Sequence, residues 1–506
     1  TLNMNMLECF FSMKYKGRGD LFEGLSIWSD DKYRNLQGTC PVISLTFADV
    51  KSGTCDGAIA RIKQNLTDLY NQNEFLLKGD LLNAKEREQY DAVRPDMKNE
   101  EAEVAVRALM GYLSRYYGKK VIVLLDEYDT PLQEAYANGF WEEMSMFIRS
   151  MFHSMFKTNP YLERAMLTGI TRVSKESIFS DLNNLQVVTT TSCIYENAFG
   201  FTEDEVFAAL KEAGILDRQE QVKAWYDGFT FGKSRDIYNP WSITKYLDEK
   251  RFAAYWANTS SNNLVSNLIR EGASDVKIAM EDLIEGKSIE KVIDEEIIFE
   301  QLDDNSEAIW SLLLAAGYLK VEDVTDADNG EDAVYRLSLT NLEVRKEFRK
   351  MVQGWFKKAS IRYHDFVEAL LANDVAYMNQ YMNRMTQTVF SYFDTGNHPS
   401  EQTEPERFYH GFVLGLIVDA KLDYHVTSNR ASGLGRYDVV MEPRDKKKDA
   451  FVFEFKVKNQ DSKESLEDTV RNALKQIEEK NYDAMLIAKG IPKERIRHYG
   501  FAFEGK

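Results

Sequence analysis

The stretch Ala450-Phe-Val-Phe-Glu-Phe-Lys-Val-Lys458 decides the fold of the C-terminal part of the chain. Its aromatic residues recur at every second position, and Glu454 and Lys456 occupy the alternate positions. A period of two is that of a β-strand, whose successive side chains point to opposite faces. The stretch therefore predicts a strand that carries Glu454 and Lys456 side by side on one face.

The segments around this strand predict a small α/β domain. A strand at residues 436–442 carries Asp438, and a polar turn joins it to the strand at 450–458. We therefore expect Asp438 to lie opposite Glu454 and Lys456. The predicted order is helix, three strands, helix and strand, over residues 404–418, 424–428, 436–442, 450–458, 465–479 and 484–488.

These three side chains are suited to phosphodiester hydrolysis. Two carboxylates, Asp438 and Glu454, form the oxygen-rich pocket that Mg²⁺ or Mn²⁺ prefers. Such a metal acidifies a bound water and neutralises phosphate charge, and Lys456 would orient that water. The alternative is that Glu454 and Lys456 form a solvent-facing pair on an edge strand.

The same residues resemble a known nuclease signature. Asp438, fifteen further residues and then Glu454-Phe-Lys456 look like the PD-(D/E)XK nuclease superfamily motif, and Gly435-Arg-Tyr-Asp438 resembles its G-R-x-D form. The resemblance implies a restriction-endonuclease-like fold of αβββαβ order. It also implies supporting roles for Glu406 on the preceding helix and Gln476 on the following one.

A second decisive stretch, Val121-Ile-Val-Leu-Leu-Asp-Glu127, lies in the N-terminal part. Five apolar residues followed by two acids are typical of a Walker B strand buried in a parallel sheet. Asp126 would hold Mg²⁺ through water, and Glu127 would polarise the attacking water. A strand that ends in two solvated acids is the alternative.

Several motifs resemble the predicted AAA-ATPase-like family that bacteria fuse to a PD-(D/E)XK nuclease domain. In that family a phosphate-binding G-K-T precedes L-N-M, so Thr1 would be the P-loop threonine that reaches Mg²⁺. The Gly-rich loop and its Lys would lie upstream, so we expect this chain by itself to bind ATP poorly. The motifs are Thr1-Leu-Asn-Met-Asn-Met-Leu7, Asp126-Glu-Tyr-Asp-Thr-Pro131, Leu167-Thr-Gly-Ile-Thr-Arg172, Trp225-Tyr-Asp-Gly-Phe229, Tyr238-Asn-Pro-Trp-Ser242 and Tyr255-Trp-Ala-Asn-Thr-Ser260.

Two further residues complete the predicted ATP site. Thr168 or Thr171 would sense the γ-phosphate at the end of the next strand. Arg172 would contact phosphate in its own subunit or in a neighbouring one, which leaves a homo-oligomer open; an ordinary structural ion pair is the alternative.

Composition limits the location and the partners of the chain. The 506 residues include 63 basic and 81 acidic ones, and the net charge of −18 falls entirely within residues 1–400. If nucleic acid binds to the chain, the C-terminal part, which has no excess negative charge, is therefore the expected place. Four scattered cysteines indicate free thiols in a reducing cytoplasm, and no apolar run is long enough to predict a membrane span or a signal peptide.

The sequence predicts an α/β protein of three domains. Residues 1–200 form the P-loop ATPase-like core, 201–360 a helical region for which a winged helix is one option, and 361–506 the nuclease-like domain. The main hypothesis is an ATP-regulated, metal-dependent nuclease that acts on nucleic acid, DNA in the first place. The alternatives are an ATP-dependent switch or DNA-binding protein with a non-catalytic nuclease-like module, and a DNA-motor ATPase whose C-terminal domain only targets the substrate.

Overall fold

A computed structural model gives the structure of most of the chain. It describes residues 1–170, 179, 182, 185–257, 265, 266, 268, 269, 274–294, 307–325, 332–357, 363–393, 423–432, 434–458 and 464–504. These residues fall into two compact units, one of residues 1–199 with 294–316 and one of residues 200–293 with 317–506.

The first unit contains a parallel sheet in the order β1-β2-β3. Every residue of the central strand β2 is buried, which explains its unbroken apolar sequence. The predicted mixed α/β architecture is confirmed. Its elements are α1 (Leu2–Phe11), α2 (Asp31–Arg34), β1 (Val42–Thr46), α3 (Cys55–Gln72), α4 (Ala84–Asp91), α5 (Asn99–Tyr117), β2 (Val121–Asp126), α6 (Thr130–Asn138), α7 (Trp141–Phe156) and β3 (Leu162–Leu167).

Helices cover both faces of this sheet. Met4 of α1 packs with Ile122 and Leu124 on one face, and helices α5 and α7 contact β2 and β3. The apolar stripe of α7, which includes Phe147 and Met151, is buried as core. Helix α5 ends at Gly118, whose φ of 63° is the left-handed conformation that glycine adopts without strain.

The second unit begins with the middle region, which is mostly helical as predicted and also contains short strands. Two small antiparallel sheets, β4-β6-β5 and β7-β9-β8, accompany its helices. The elements from residue 201 to 393 are β4 (Phe201–Thr202), α8 (Glu203–Glu212), α9 (Gln219–Tyr226), β5 (Phe229–Phe231), β6 (Ser234–Tyr238), α10 (Pro240–Glu249), α11 (Ser274–Glu285), β7 (Ile289–Val292), α12 (Ala308–Ala315, in the first unit), β8 (Leu319–Thr325), β9 (Val334–Leu339), α13 (Leu342–Lys357), α14 (Tyr363–Leu371) and α15 (Val375–Phe393).

A buried carboxylate joins three segments of this region. Glu343 of α13 accepts a hydrogen bond from the Ser242 hydroxyl (2.8 Å) and from the backbone N–H groups of Trp256 (2.6 Å) and Ala257 (3.2 Å). Burial raises the pKa of Glu343, and these hydrogen bonds act against that rise. Two of the sequence motifs, those around Ser242 and Trp256, thereby meet at one side chain.

The C-terminal sheet has the order β10-β11-β12-β13, antiparallel except for the parallel pair β12–β13. The final strand was predicted at residues 484–488, and this prediction is wrong. Those residues form a short helix, because Leu486 alone of its apolar residues is buried, and residues 496–504 supply the last strand. The elements are β10 (Tyr424–Ser432), β11 (Gly435–Pro443), β12 (Ala450–Lys458), α16 (Leu466–Glu479), α17 (Ala484–Ala488) and β13 (Ile496–Glu504).

Two other expectations concern the chain as a whole. Among the described residues, no helix combines the length and apolar character that a membrane crossing requires. The four cysteines are free thiols. The predicted helix at residues 404–418 lies outside the described residues.

Replacement of Glu343 by Ala is expected to destabilise the second unit by about 3 kcal/mol, because buried donors lose their acceptor. The unfolding midpoint should fall by about 5 °C for a unit of this size. Glu212→Ala, at an exposed glutamate of α8, is the control and should change the midpoint little. Equal midpoints for the two variants in thermal unfolding would contradict the role of Glu343.

Candidate active sites

Strands β11 and β12 bring two carboxylates together in the C-terminal sheet. Val439 pairs with Phe453, and one further step in this antiparallel register sets Asp438 opposite Glu454. Oδ2 of Asp438 accepts a hydrogen bond of 2.7 Å from the backbone N–H of Phe455, which fixes the carboxylate beside β12.

Gln476 of α16 bridges the two charged groups of β12. Its Nε2 donates to Oε1 of Glu454, and its Oε1 accepts a 2.7 Å hydrogen bond from Nζ of Lys456. Lys456 Nζ also lies 3.8 Å from Oε1 of Glu454. The helix can approach this closely because Gly500, the β13 partner of Glu454, has no side chain; a Cβ there would lie 3.0 Å from the Val470 carbonyl.

Glu454 is buried, and its surroundings disfavour the ionised form of its carboxyl group. It is 3% exposed, and burial, followed by the negative charge of Asp438, raises its pKa to about 8; the charge of Lys456 acts in the opposite direction. Its Oε2 is buried and accepts no hydrogen bond from the described residues. An acceptor in this condition, beside a second carboxylate, fits a divalent cation.

The described residues supply two carboxylates at this place. Nowhere in the described ranges do three or more His, Cys, Asp or Glu side chains form a group that could hold a metal. Asp438 and Glu454 would therefore be the protein ligands, with water completing the coordination, as is usual for Mg²⁺. Glu406 lies outside the described residues.

Sequence reasoning did not single out Tyr482, which also belongs to this site. Its hydroxyl accepts a 3.0 Å hydrogen bond from Nε2 of Gln476 and so helps to hold the amide in its bridging orientation. Burial raises the pKa of Tyr482, which keeps the phenol neutral. Nothing in the spacing of an aromatic residue after a helix would have identified it.

The basic hairpin at residues 444–448 lies far from the carboxylates. It follows the opposite end of β11, and Asp449 precedes Glu454 by five residue steps along the chain, a span of about 17 Å. Nζ of Lys446 donates to the carbonyl of Lys489 (2.6 Å), and Lys448 pairs with Asp423 (2.8 Å). These contacts suit a solvated turn better than a phosphate contact at the candidate site.

Asp126 is the centre of the second site, at the carboxyl end of β2. It accepts hydrogen bonds of 2.6 Å from the hydroxyls of Thr1 and Thr168. Burial acts to raise the pKa of Asp126, but these donors outweigh it, so the pKa lies below its usual value. The structure thus brings together Thr1, Asp126 and Thr168.

Glu127 follows with an unusual backbone conformation. Its φ is 52°, in the left-handed region that non-glycine residues seldom adopt. Its Oε2 accepts a 3.2 Å hydrogen bond from the Thr130 hydroxyl. The turn directs the chain from β2 into α6, and residues in such conformations occur often at functional sites. Thr171 and Arg172, the remaining predicted residues, lie outside the described residues.

Asp129 is a residue of this site that sequence reasoning missed, although it is the third acid of the quoted motif. It is 1% exposed and accepts hydrogen bonds from the backbone N–H of Ile170 (3.0 Å) and from Nε2 of Gln133 (3.1 Å). Its carboxylate lies against Gly169, where an added Cβ would be 2.5 Å from Oδ1. Asp129 therefore fixes the loop that carries Thr168.

Comparison with known proteins agrees with two distinct domains. A family profile described as predicted AAA-ATPase matches residues 1–179, and one for the PD-(D/E)XK nuclease superfamily matches residues 404–506. The chain is also similar to a protein described as an uncharacterized protein in the vnfD 5′ region of Azotobacter chroococcum mcd 1. The two are 26% identical over 385 residues, which cover 74% of this chain and 68% of that protein. No solved structure matches the chain. The chain therefore joins a predicted AAA-ATPase domain to a PD-(D/E)XK nuclease superfamily domain.

The raised pKa of Glu454 predicts a stability that depends on pH. A carboxyl group whose folded pKa lies above its unfolded value stabilises the fold at low pH, and this contribution is lost as pH rises through about 8. Glu454→Gln should therefore unfold at a higher temperature than the wild type at pH 8.5 without metal, with a smaller difference at pH 5. Mn²⁺ should raise the unfolding midpoint of the wild type more at pH 8.5 than at pH 6.5.

Glu478→Gln, at an exposed glutamate of α16, is the matched control for this comparison. It should follow the wild type at every pH and keep the response to Mn²⁺. If the difference in unfolding temperature between Glu454→Gln and the wild type stayed constant from pH 5 to 8.5, the pKa of Glu454 would not be raised.

The contact between Asp129 and Gly169 predicts a steric effect. Gly169→Ala should lower the stability of the first unit by about 1–3 kcal/mol, because the new methyl group would overlap the buried carboxylate. Gly53→Ala is the control, since a Cβ there meets only Asn138 Oδ1 at 3.8 Å. Chemical unfolding of both variants measures the difference, and a Gly169→Ala midpoint equal to that of the control would refute the close packing.

Proposed function

We propose that the chain is an ATP-regulated, Mg²⁺-dependent nuclease that hydrolyses phosphodiester bonds, in DNA in the first place. The observation that carries the proposal is the buried Oε2 of Glu454, which lies opposite Asp438 and accepts no hydrogen bond from the described residues. The nuclease superfamily match over residues 404–506 supports the same chemistry.

In this proposal each side chain has a distinct task. Asp438 and Glu454 would hold a divalent cation, which supplies an acidified water and neutralises charge on the phosphate. Lys456 orients the attacking water or assists its deprotonation. Gln476 keeps Glu454 and Lys456 apart at fixed positions through its two hydrogen bonds. Glu406 is proposed to support the site from the preceding helix.

In a protein that includes the upstream Gly-rich loop and its Lys, the N-terminal domain is proposed to bind and hydrolyse ATP and thereby to change the state of the nuclease domain. Asp126 and Thr1 would hold Mg²⁺ with the nucleotide, Glu127 would polarise the attacking water, and Thr168 would sense the γ-phosphate. Arg172 is proposed to contact phosphate, within one subunit or across a homo-oligomer. The hydroxyl contacts of Asp126 support this assignment, because they already gather three of these groups.

We further propose that the protein works in the bacterial cytoplasm. Its free cysteines suit a reducing compartment. The proposed domains are the ATPase-like core at residues 1–200, a middle region at 201–360 and the nuclease at 361–506. The charge distribution supports a nucleic-acid contact at the last of these, because the excess negative charge lies before residue 401.

The test is cleavage of labelled single-stranded, double-stranded and branched DNA and of RNA, with Mg²⁺ or Mn²⁺ and with or without ATP. Asp438→Asn, Glu454→Gln and Lys456→Ala should each lower the cleavage rate at least about 100-fold, the scale expected for loss of an essential catalytic group. Asp126→Asn should remove any effect of ATP and leave the metal-dependent chemistry intact.

Glu478→Gln again serves as the control and should cut as the wild type does. Binding of nucleic acid without cleavage in every condition would favour the non-catalytic module. ATP hydrolysis that DNA stimulates, again without cleavage, would favour the motor. Cleavage that survives both Asp438→Asn and Glu454→Gln would show that this site is not the catalytic one.

A further inference from the structure

The outer strand of the C-terminal sheet is covered by a helix from the middle region of the same unit. Strand β10 is the first in the order β10-β11-β12-β13, and helix α11 packs against it. The same helix also contacts β7, β9 and α13. Helix α11 therefore links the β7-β9-β8 sheet to the sheet that carries the nuclease residues.

The contact between α11 and β10 is polar. The Ser428 hydroxyl donates a hydrogen bond to Oε2 of Glu281, and both residues are buried. Farther along the strand, Nδ1 of His425 lies 3.2 Å from Oε1 of Glu285. Here we name these two pairs the α11 seam.

The inner pair of the α11 seam lies directly behind the proposed metal site. Ser428 pairs with Val439 across the β10–β11 ladder, and Val439 is the neighbour of Asp438 in sequence. Val439 in turn pairs with Phe453, and the Phe455 N–H binds Asp438. The outer pair is remote, because His425 lies opposite Glu442, near the other end of β11.

We propose that Glu281 and Ser428 are positioning residues for Asp438, through which helix α11 sets the geometry of the metal site. This inference rests on the proposed nuclease function, and it identifies helix α11 as the element that controls the geometry of the metal site.

The chemistry of the seam suits that task. A hydrogen bond to a carboxylate is directional, so it fixes β10 along the helix more narrowly than apolar packing does. Loss of the hydrogen bond from Ser428 would leave a buried acceptor oxygen of Glu281 unsatisfied, which is unfavourable in the interior. A shift of α11 relative to β10 therefore either carries the strand with it or breaks the contact. Either result moves the backbone next to Asp438.

The test uses the full chain with Ser428→Ala, Glu281→Ala and Glu281→Gln. Calorimetric titration with Mn²⁺ should give about tenfold weaker binding for both alanine variants, the scale seen when outer partners of metal ligands are removed. Glu281→Gln retains an oxygen that can accept from Ser428 and should restore most of the affinity. Amide hydrogen exchange at Phe455 should be faster in the alanine variants, because Asp438 no longer holds that N–H.

His425→Ala is the matched control, because it breaks the outer pair of the seam and leaves the inner one. It should keep wild-type Mn²⁺ affinity and wild-type exchange at Phe455. Alanine variants that lose thermal stability but match the wild type in both measurements would reduce the seam to a structural contact and overturn the inference. A wild type that neither binds Mn²⁺ nor cuts would instead refute the proposed function, and exchange at Phe455 would still decide whether the seam positions Asp438.

Discussion

A carboxylate inside a protein must receive hydrogen bonds or meet a positive charge, and this requirement determines where the segments of the chain are joined. Glu343 accepts hydrogen bonds from two motifs that are distant in sequence. Asp129 accepts a hydrogen bond from the loop after β3, and Glu281 accepts one from the outer strand of the C-terminal sheet. Glu454 differs because a second carboxylate, Asp438, lies opposite it, and its Oε2 accepts no hydrogen bond from the described residues. The same physical demand thus explains three contacts between segments and one candidate metal site.

The sequence identified the parts of the fold that local periodicity controls. The alternation in β12 predicted which side chains share a face, and a short hairpin left little freedom in the pairing of β11, so Asp438 could be set opposite Glu454. The buried run before Asp126 predicted the central strand of the parallel sheet for a similar reason, because a strand covered on both faces is apolar throughout.

Other features depend on contacts that no local pattern reveals. The apolar run at residues 484–488 is too short to distinguish strand from helix, and tertiary packing made it a helix. The small sheets of the middle region use strands of two to seven residues, which leave weak periodicity. The partners of Glu343 lie about a hundred residues away in sequence, as Ser242 illustrates. Tyr482 joins the candidate site in the C-terminal sheet only because α16 brings Gln476 between it and Glu454.

The connectivity of the C-terminal sheet implies an order of assembly. Strands β10, β11 and β12 are joined by short hairpins, whereas β13 pairs in parallel with β12 only after α16 and α17 have crossed over. Strands joined by a short hairpin pair sooner than parallel strands joined by a long crossover. We therefore expect Asp438 and Glu454 to come together while both carboxylates are still hydrated and ionised. Docking of α16 then removes water from Glu454, whose pKa rises to about 8. Completion of the metal-free sheet at neutral pH is therefore coupled to the uptake of a proton.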